Sequence, residues 1–203
     1  MAILLPAAAL GESDTTQFSV IPGPLGFGGA PGLPGVPSLP LDGRARTLSA
    51  RMANFEVSDA SGSGLGWSIT VSGGDSPGKS PVLKQYCPMA ACGADRGPGY
   101  IGGGSALPAD SLTLDSRGAR FDGQGGTTGT PPSHQCDEGC FVDAPPDSPS
   151  KVVVAGSRAG MGTFQTNGFS VSSIRLVAPS TARSLPPREV YRVDLSWSLN
   201  SGP

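Results

Sequence analysis

The chain has 203 residues, 37% of them hydrophobic and only 15% charged, with a formal net charge of −2. That is long enough to bury a sizeable core, as one large domain or two small ones. It is too nearly neutral, and too poor in clustered Lys and Arg, to track a phosphate backbone, so nucleic acid is excluded as a partner.

The other bulk feature is Gly 31 and Pro 21. Glycine and proline destabilise helix interiors by roughly 1 and 3 kcal/mol respectively, so short strands joined by turn-rich loops are expected. No apolar run approaches the roughly 18 residues that span a bilayer as a helix.

Residues 1–11, "MAILLPAAALG", are apolar and end abruptly at "ESDTTQ". Small residues at Ala9 and Gly11 ahead of Glu12 fit a remnant of a secretory signal. The alternative is an ordinary apolar N-terminus. Residues 18–40, "FSVIPGPLGFGGAPGLPGVPSLP", place Gly at 23, 26, 29, 32 and 35. This period of three imitates collagen, but five triplets are too few. An extended segment laid across a sheet is expected instead.

Phe55 and Val57 alternate with polar residues, as do Leu65, Trp67, Ile69 and Val71. With turn residues 59–64 between them they predict a hairpin with a wide loop. Residues 111–116, 151–156 and 168–179 read as further strands, the last with a phase slip at Ser172 and Ser173 that suggests a bulge. Tyr191, Val193, Leu195, Trp197 and Leu199 alternate strictly, which predicts a final strand with one dry face. The sum is an all-β antiparallel sandwich or barrel with long Gly/Pro-rich loops. Residues 73–150 exceed ordinary loop lengths. They are expected to be a loop-rich, disulfide-stapled insertion on one edge of a single domain.

Four cysteines fall in two tight pairs, Cys87/Cys92 and Cys136/Cys140. In an exported chain they read as two disulfides with three connectivities open. The rival is a zinc site built from all four thiolates, with His134 as a substitute ligand.

Enzyme signatures are scarce, and neither a catalytic residue nor a cofactor is expected. "GDSPG" (74–78) has the Gly-x-Ser-x-Gly form of a nucleophile elbow, but Pro77 lacks the N–H that would serve as oxyanion donor. "GPGYIG" (97–102) has the spacing of a dinucleotide loop without the strand before it or the helix after it. His134, the one histidine, reads as a solvated surface residue. Asp137, Glu138, Asp143 and Asp147 read as a solvated acidic loop, with a calcium site as the alternative.

One local pattern recurs: Trp67-Ser68-Ile69 and Trp197-Ser198-Leu199, which hold both tryptophans of the chain. The rings are either core residues of adjacent strands or parts of a platform for sugars or a partner. With "FSVIPGPLGFGG" (18–29), "FEVSDASGSGLGWSITVS" (55–72), "GMGTFQ" (160–165), "SIRLVAP" (173–179) and the closing "YRVDLSWSLNSGP", these motifs resemble the WxL domain. That is the cell-surface domain of Gram-positive bacteria named for two Trp-x-Leu motifs. The resemblance spans residues 18–203. It departs at Ile69, where Leu is named, and across 73–150, so the chain resembles a divergent member.

What the resemblance implies is export and non-covalent attachment to the cell wall, with peptidoglycan or another wall glycan as partner and the two motifs as binding residues. A second expectation is a structural subunit of an extracellular assembly or filament. Its extended N-terminal segment would add a strand to another surface protein or to a second copy of itself.

Overall fold

Backbone rich in Gly and Pro favours strands and turns. No helix forms among residues 17–35, 39–90, 92 and 97–203, the residues that this computed structural model describes. The expected signal remnant (1–11) lies outside them. In chain order the strands are β1 (Leu25–Gly29), β2 (Arg46–Ala50), β3 (Glu56–Asp59), β4 (Trp67–Gly73) and β5 (Lys84–Cys87). Then come β6 (Gly99–Tyr100), β7 (Leu112–Leu114), β8 (Arg120–Gln124), β9 (Ser133–His134) and β10 (Cys140–Phe141). The last five are β11 (Ser150–Ala155), β12 (Gly162–Asn167), β13 (Ile174–Ala178), β14 (Val190–Arg192) and β15 (Leu195–Ser201).

They build four antiparallel sheets, ordered β1-β3-β12-β8, β10-β7-β13-β2, β15-β4-β11-β9 and β14-β5-β6. No sheet closes on itself, so the fold is a layered sandwich and not a barrel.

One apolar cluster joins the first three sheets. Val57 and Phe164 come from the first, Leu114 and Ile174 from the second, and Trp67, Ile69 and Val71 from the third. Of the residues in β4, all but Thr70 are buried. Such a strand is covered on both faces, not one. Its apolar residues share a face with β11 through the pairs Ile69↔Val153 and Trp67↔Ala155. Each such side chain contributes about 1.5–3 kcal/mol when fully buried.

Several expectations need correction. The 55–71 hairpin does not form: β3 pairs with β1 and β12, whereas β4 pairs with β11 and β15. The intervening loop carries the chain from one sheet to another. Asp59 accepts hydrogen bonds from the N–H and hydroxyl of Ser61, and Gly66 turns at φ +81° against the Ala155 and Gly156 carbonyls. Residues 168–173 are not strand. The Ser173 N–H closes a turn on the Ser170 carbonyl, and the Ser173 hydroxyl accepts the buried Met52 N–H. The phase slip therefore marks a turn before β13, not a bulge.

Nor is 73–150 an edge insertion. β7 lies inside the second sheet, β8 and β9 complete the first and third, and Leu83, Leu107, Leu112 and Phe121 join the main core. The final alternating run is split between β14 in the fourth sheet and β15 in the third. Its dry face survives the split, since Tyr191, Val193, Leu195, Trp197 and Leu199 all pack on the same cluster.

Trp67 fixes the tightest packing. Its ring is fully buried, and its indole N–H donates to the Gly160 carbonyl at 3.1 Å. A Cβ on Gly160, which sits at φ +70°, would lie 2.6 Å from both the indole nitrogen and the Ala155 Cβ. Gly160→Ala is expected to lower stability by about 3 kcal/mol through overpacking plus backbone strain. Gly126→Ala, at φ +82° with open space around it, should cost only about 1 kcal/mol. Urea unfolding followed by indole fluorescence distinguishes the two.

Candidate functional site

The two tryptophan motifs meet in the third sheet. β15 runs antiparallel to β4 with Trp197 opposite Val71, Ser198 opposite Thr70, Leu199 opposite Ile69 and Ser201 opposite Trp67. The rings are therefore offset along the ladder and do not face each other.

The first motif is interior. Trp67 and Ile69 are fully buried, and Ser68, 5% exposed, donates its hydroxyl hydrogen to the Gly202 carbonyl at 3.1 Å. In the second motif Trp197 and Leu199 are half-buried and Ser198 is exposed. Of the six motif residues, then, only those of β15 reach the surface.

Trp197 lines a cleft of about 590 Å³ with Tyr86, Tyr191, Arg192 and Asp194. Residues 31–35, part of the N-terminal segment expected to lie across a sheet, also line it. The cleft exists because the chain changes sheets between β14 and β15, and Asp194 sits at the change. Its carboxylate accepts hydrogen bonds from the Tyr100 hydroxyl at 2.6 Å, the Arg192 guanidinium at 2.9 Å and the Ser80 N–H at 3.3 Å, with Lys79 Nζ at 3.5 Å.

Burial works against ionisation of Asp194. The hydrogen bonds from Tyr100 and Arg192 outweigh it and hold the carboxyl below the usual carboxylate range. Burial and the same bond to Asp194 push the Tyr100 hydroxyl well above its ordinary value, so it remains a donor. The Arg192 guanidinium lies 4.5 Å over the Tyr86 ring, and Tyr86 meets Tyr100 edge-on at 5.0 Å. Aromatic faces beside a guanidinium and a carboxylate can stack on sugar rings and bind hydroxyl or carboxylate groups.

None of this cluster was singled out as a site from sequence, where Arg192 and Asp194 read as the wet face of one long strand. The available signal was two opposite charges two residues apart in an otherwise uncharged run.

The cysteines pair locally, Cys87 with Cys92 and Cys136 with Cys140. This selects one of the three connectivities and leaves no thiolate for the zinc alternative. Cys87 ends β5, and the neighbouring Pro88 lines the cleft. Two disulfides fit an oxidising compartment. Among the described residues no helix is long and apolar enough to cross a membrane.

The four loop acids do not converge. Asp143 is buried and accepts the Ser111 and Leu112 N–H groups at 3.0 and 3.2 Å, Asp137 accepts the Ser116 hydroxyl, and Glu138 and Asp147 are exposed. Among the described residues no group of three or more His, Cys, Asp or Glu side chains could hold a metal ion. "GDSPG" is a turn after β4, with the Lys79 N–H on the Ser76 carbonyl. "GPGYIG" contains β6, and no helix follows it.

His134 is not a solvated surface residue. It stacks on Phe121 at 4.7 Å and meets Phe169 edge-on at 5.5 Å, and its Nε2 is buried without a hydrogen-bond partner. The cause is β9, which pairs Ser133 and His134 with β11 and so turns the ring into the aromatic cluster. Burial lowers its pKa to about 4, against a weaker upward pull from Asp137.

Comparisons with protein-family models, curated proteins and solved structures found no match.

Two outcomes follow from the buried polar groups. The folded chain binds fewer protons at His134 than the unfolded chain between about pH 6.5 and 4. Its burial therefore makes stability fall as pH falls through that window. His134→Phe should flatten this slope and raise stability at pH 5 by about 1 kcal/mol, since it removes an unsatisfied buried nitrogen, as read by urea midpoints at pH 7 and 5.

Asp194→Asn should lower stability by about 2 kcal/mol at pH 7, because Arg192 and Tyr100 lose an ionised acceptor. Stability from Asp194 is present above the ordinary carboxylate pKa and is lost as pH falls through its lowered value. The deficit of the variant should therefore shrink below about pH 4 in the same assay.

Proposed function

We propose that the protein is a secreted, non-catalytic surface protein that attaches non-covalently to the cell wall, with peptidoglycan as the ligand. The observation that carries this reading is the cleft beside β15, in which Trp197, Tyr86 and Tyr191 flank Arg192 and Asp194. A glycan strand with peptide stems offers apolar ring faces, hydroxyls, carboxylates and amines. The cleft supplies a stacking surface, a cation and an anion for them.

The resemblance of the paired Trp motifs to the WxL domain supports the same ligand class, and the two disulfides fit a chain that acts outside the cell. In this reading the two motifs divide the work. Trp67-Ser68-Ile69 is structural, holding β4 in the core, and Trp197 is the contact residue. A single aromatic–sugar contact is weak, so retention depends on many copies engaging a repetitive surface.

The test is co-sedimentation with purified peptidoglycan. Wild type should partition into the pellet. Arg192→Ala and Trp197→Ala, each shown folded by circular dichroism, should lose at least about tenfold in affinity. Wild type left in the supernatant across wall preparations would overturn the reading.

A further inference from the structure

β15 differs from the other sheet edges. β1 is interrupted by a register shift between Phe27 and Gly29. β2 bears Arg46, β8 bears Arg120 and Asp122, and β6, β9, β10 and β14 have two or three residues each. Shortness, charge and irregularity are the devices by which sheets avoid pairing with other chains. β15 has none of these three, and the one neighbour on that side, β1 of the same chain, comes near it without pairing. β15 is seven residues long, uncharged and free of proline, and it meets β4 in unbroken register.

The ladder also shows which groups are free. The Gly74 N–H bonds the Asp194 carbonyl and the Gly202 N–H bonds the Gly66 carbonyl, so the even-numbered residues exchange hydrogen bonds with β4. The N–H and C=O groups of Leu195, Trp197, Leu199 and Ser201 consequently point away from it. None has a hydrogen-bond partner among the described residues.

The same chain carries a matching unsatisfied segment. Phe18, Val20 and Ile21 are 87%, 81% and 85% exposed. The arm is rooted where the Gly23 N–H meets the Ala60 carbonyl and the Ala60 N–H meets the Pro24 carbonyl. Between Asp14 and Pro22 the sequence is uncharged and as long as β15. Phe18 and Val20 fall on one side of an extended chain, as Trp197 and Leu199 do.

We propose that residues 18–21 of one copy add as a strand to the free edge of β15 in a second copy. Backbone hydrogen bonds would supply the pairing, and the Phe18 and Val20 side chains would cover Trp197 and Leu199. Donor and acceptor are different surfaces, so the contact is head-to-tail and propagates into rings or filaments. Phe18 would cover Trp197, the side chain assigned to wall contact, so the two readings share that residue; assembly is measured without wall material, and its failure is therefore distinguishable from failure of attachment.

The test uses the full chain, with light scattering across a concentration series and a benzophenone photo-cross-linker at position 20 in a mixture of isotope-labelled and unlabelled copies. The expected result is concentration-dependent assembly with cross-links between copies that map to 195–201. Phe18→Asp with Val20→Asp on the arm, or Ser198→Lys on the exposed face of β15, should each weaken assembly at least about tenfold. Thermal midpoints should stay unchanged, since these side chains are exposed. A monomer at every concentration up to about 1 mM, cross-links confined to one chain, or cross-links to another surface would each overturn the proposal.

Discussion

The burial of β4 on both faces is the constraint on which the rest of the fold depends. A strand that carries Trp67, Ile69 and Val71 on one side and near-buried serines on the other needs cover above and below it and a bonded neighbour along each edge. β11 and β15 fill the edge positions, and the first two sheets contribute to the cluster around it. The Trp67 indole then requires a residue without a Cβ at 160, because only bare backbone leaves room for the ring and supplies an acceptor at the right distance. That one slot ties the start of β4 to a loop 93 residues further along.

The candidate site follows from how the chain leaves this arrangement. A single straight strand from Val190 to Ser201 would have continued the third sheet and left no cleft. Instead the chain breaks at Val193 and Asp194, β14 pairs with β5, and the half-buried carboxylate at the break is neutralised from several directions. The cluster around Asp194 is thus part of the framework and also lines the cleft. It joins two sheets while presenting Arg192 and a tyrosine pair to the cleft.

How much of this was legible in the sequence depended on how apolar each strand is. β11, with Val152 to Val154 in succession, and β15, with its strict alternation, could be read directly. So could the all-β class, from the Gly and Pro content together with the alternating segments. β8 (RFDGQ) and β12 (GTFQTN) could not, because each carries one buried aromatic among polar residues. Their place is decided by cross-strand partners far along the chain. Phe55–Val57 and Trp67–Val71 have the pattern of a hairpin, but pattern cannot distinguish two strands that pair from two that face different sheets. His134 was misread for the same reason. A Pro/Ser-rich context suggests exposure, and only the pairing of β9 with β11 turns the ring inward.

The order of the sheets has a consequence for how such a chain reaches its native state. Among the described residues β5 and β6 are the only sequential strands that bond to each other; every other ladder joins segments with at least one strand between them. Topologies dominated by distant pairings lose loop-closure entropy before contacts repay it, and they form slowly. The third sheet is completed by β15, so an incomplete polypeptide holds its most apolar strand without its outer neighbour. Until β15 pairs, one edge of β4 therefore stays open.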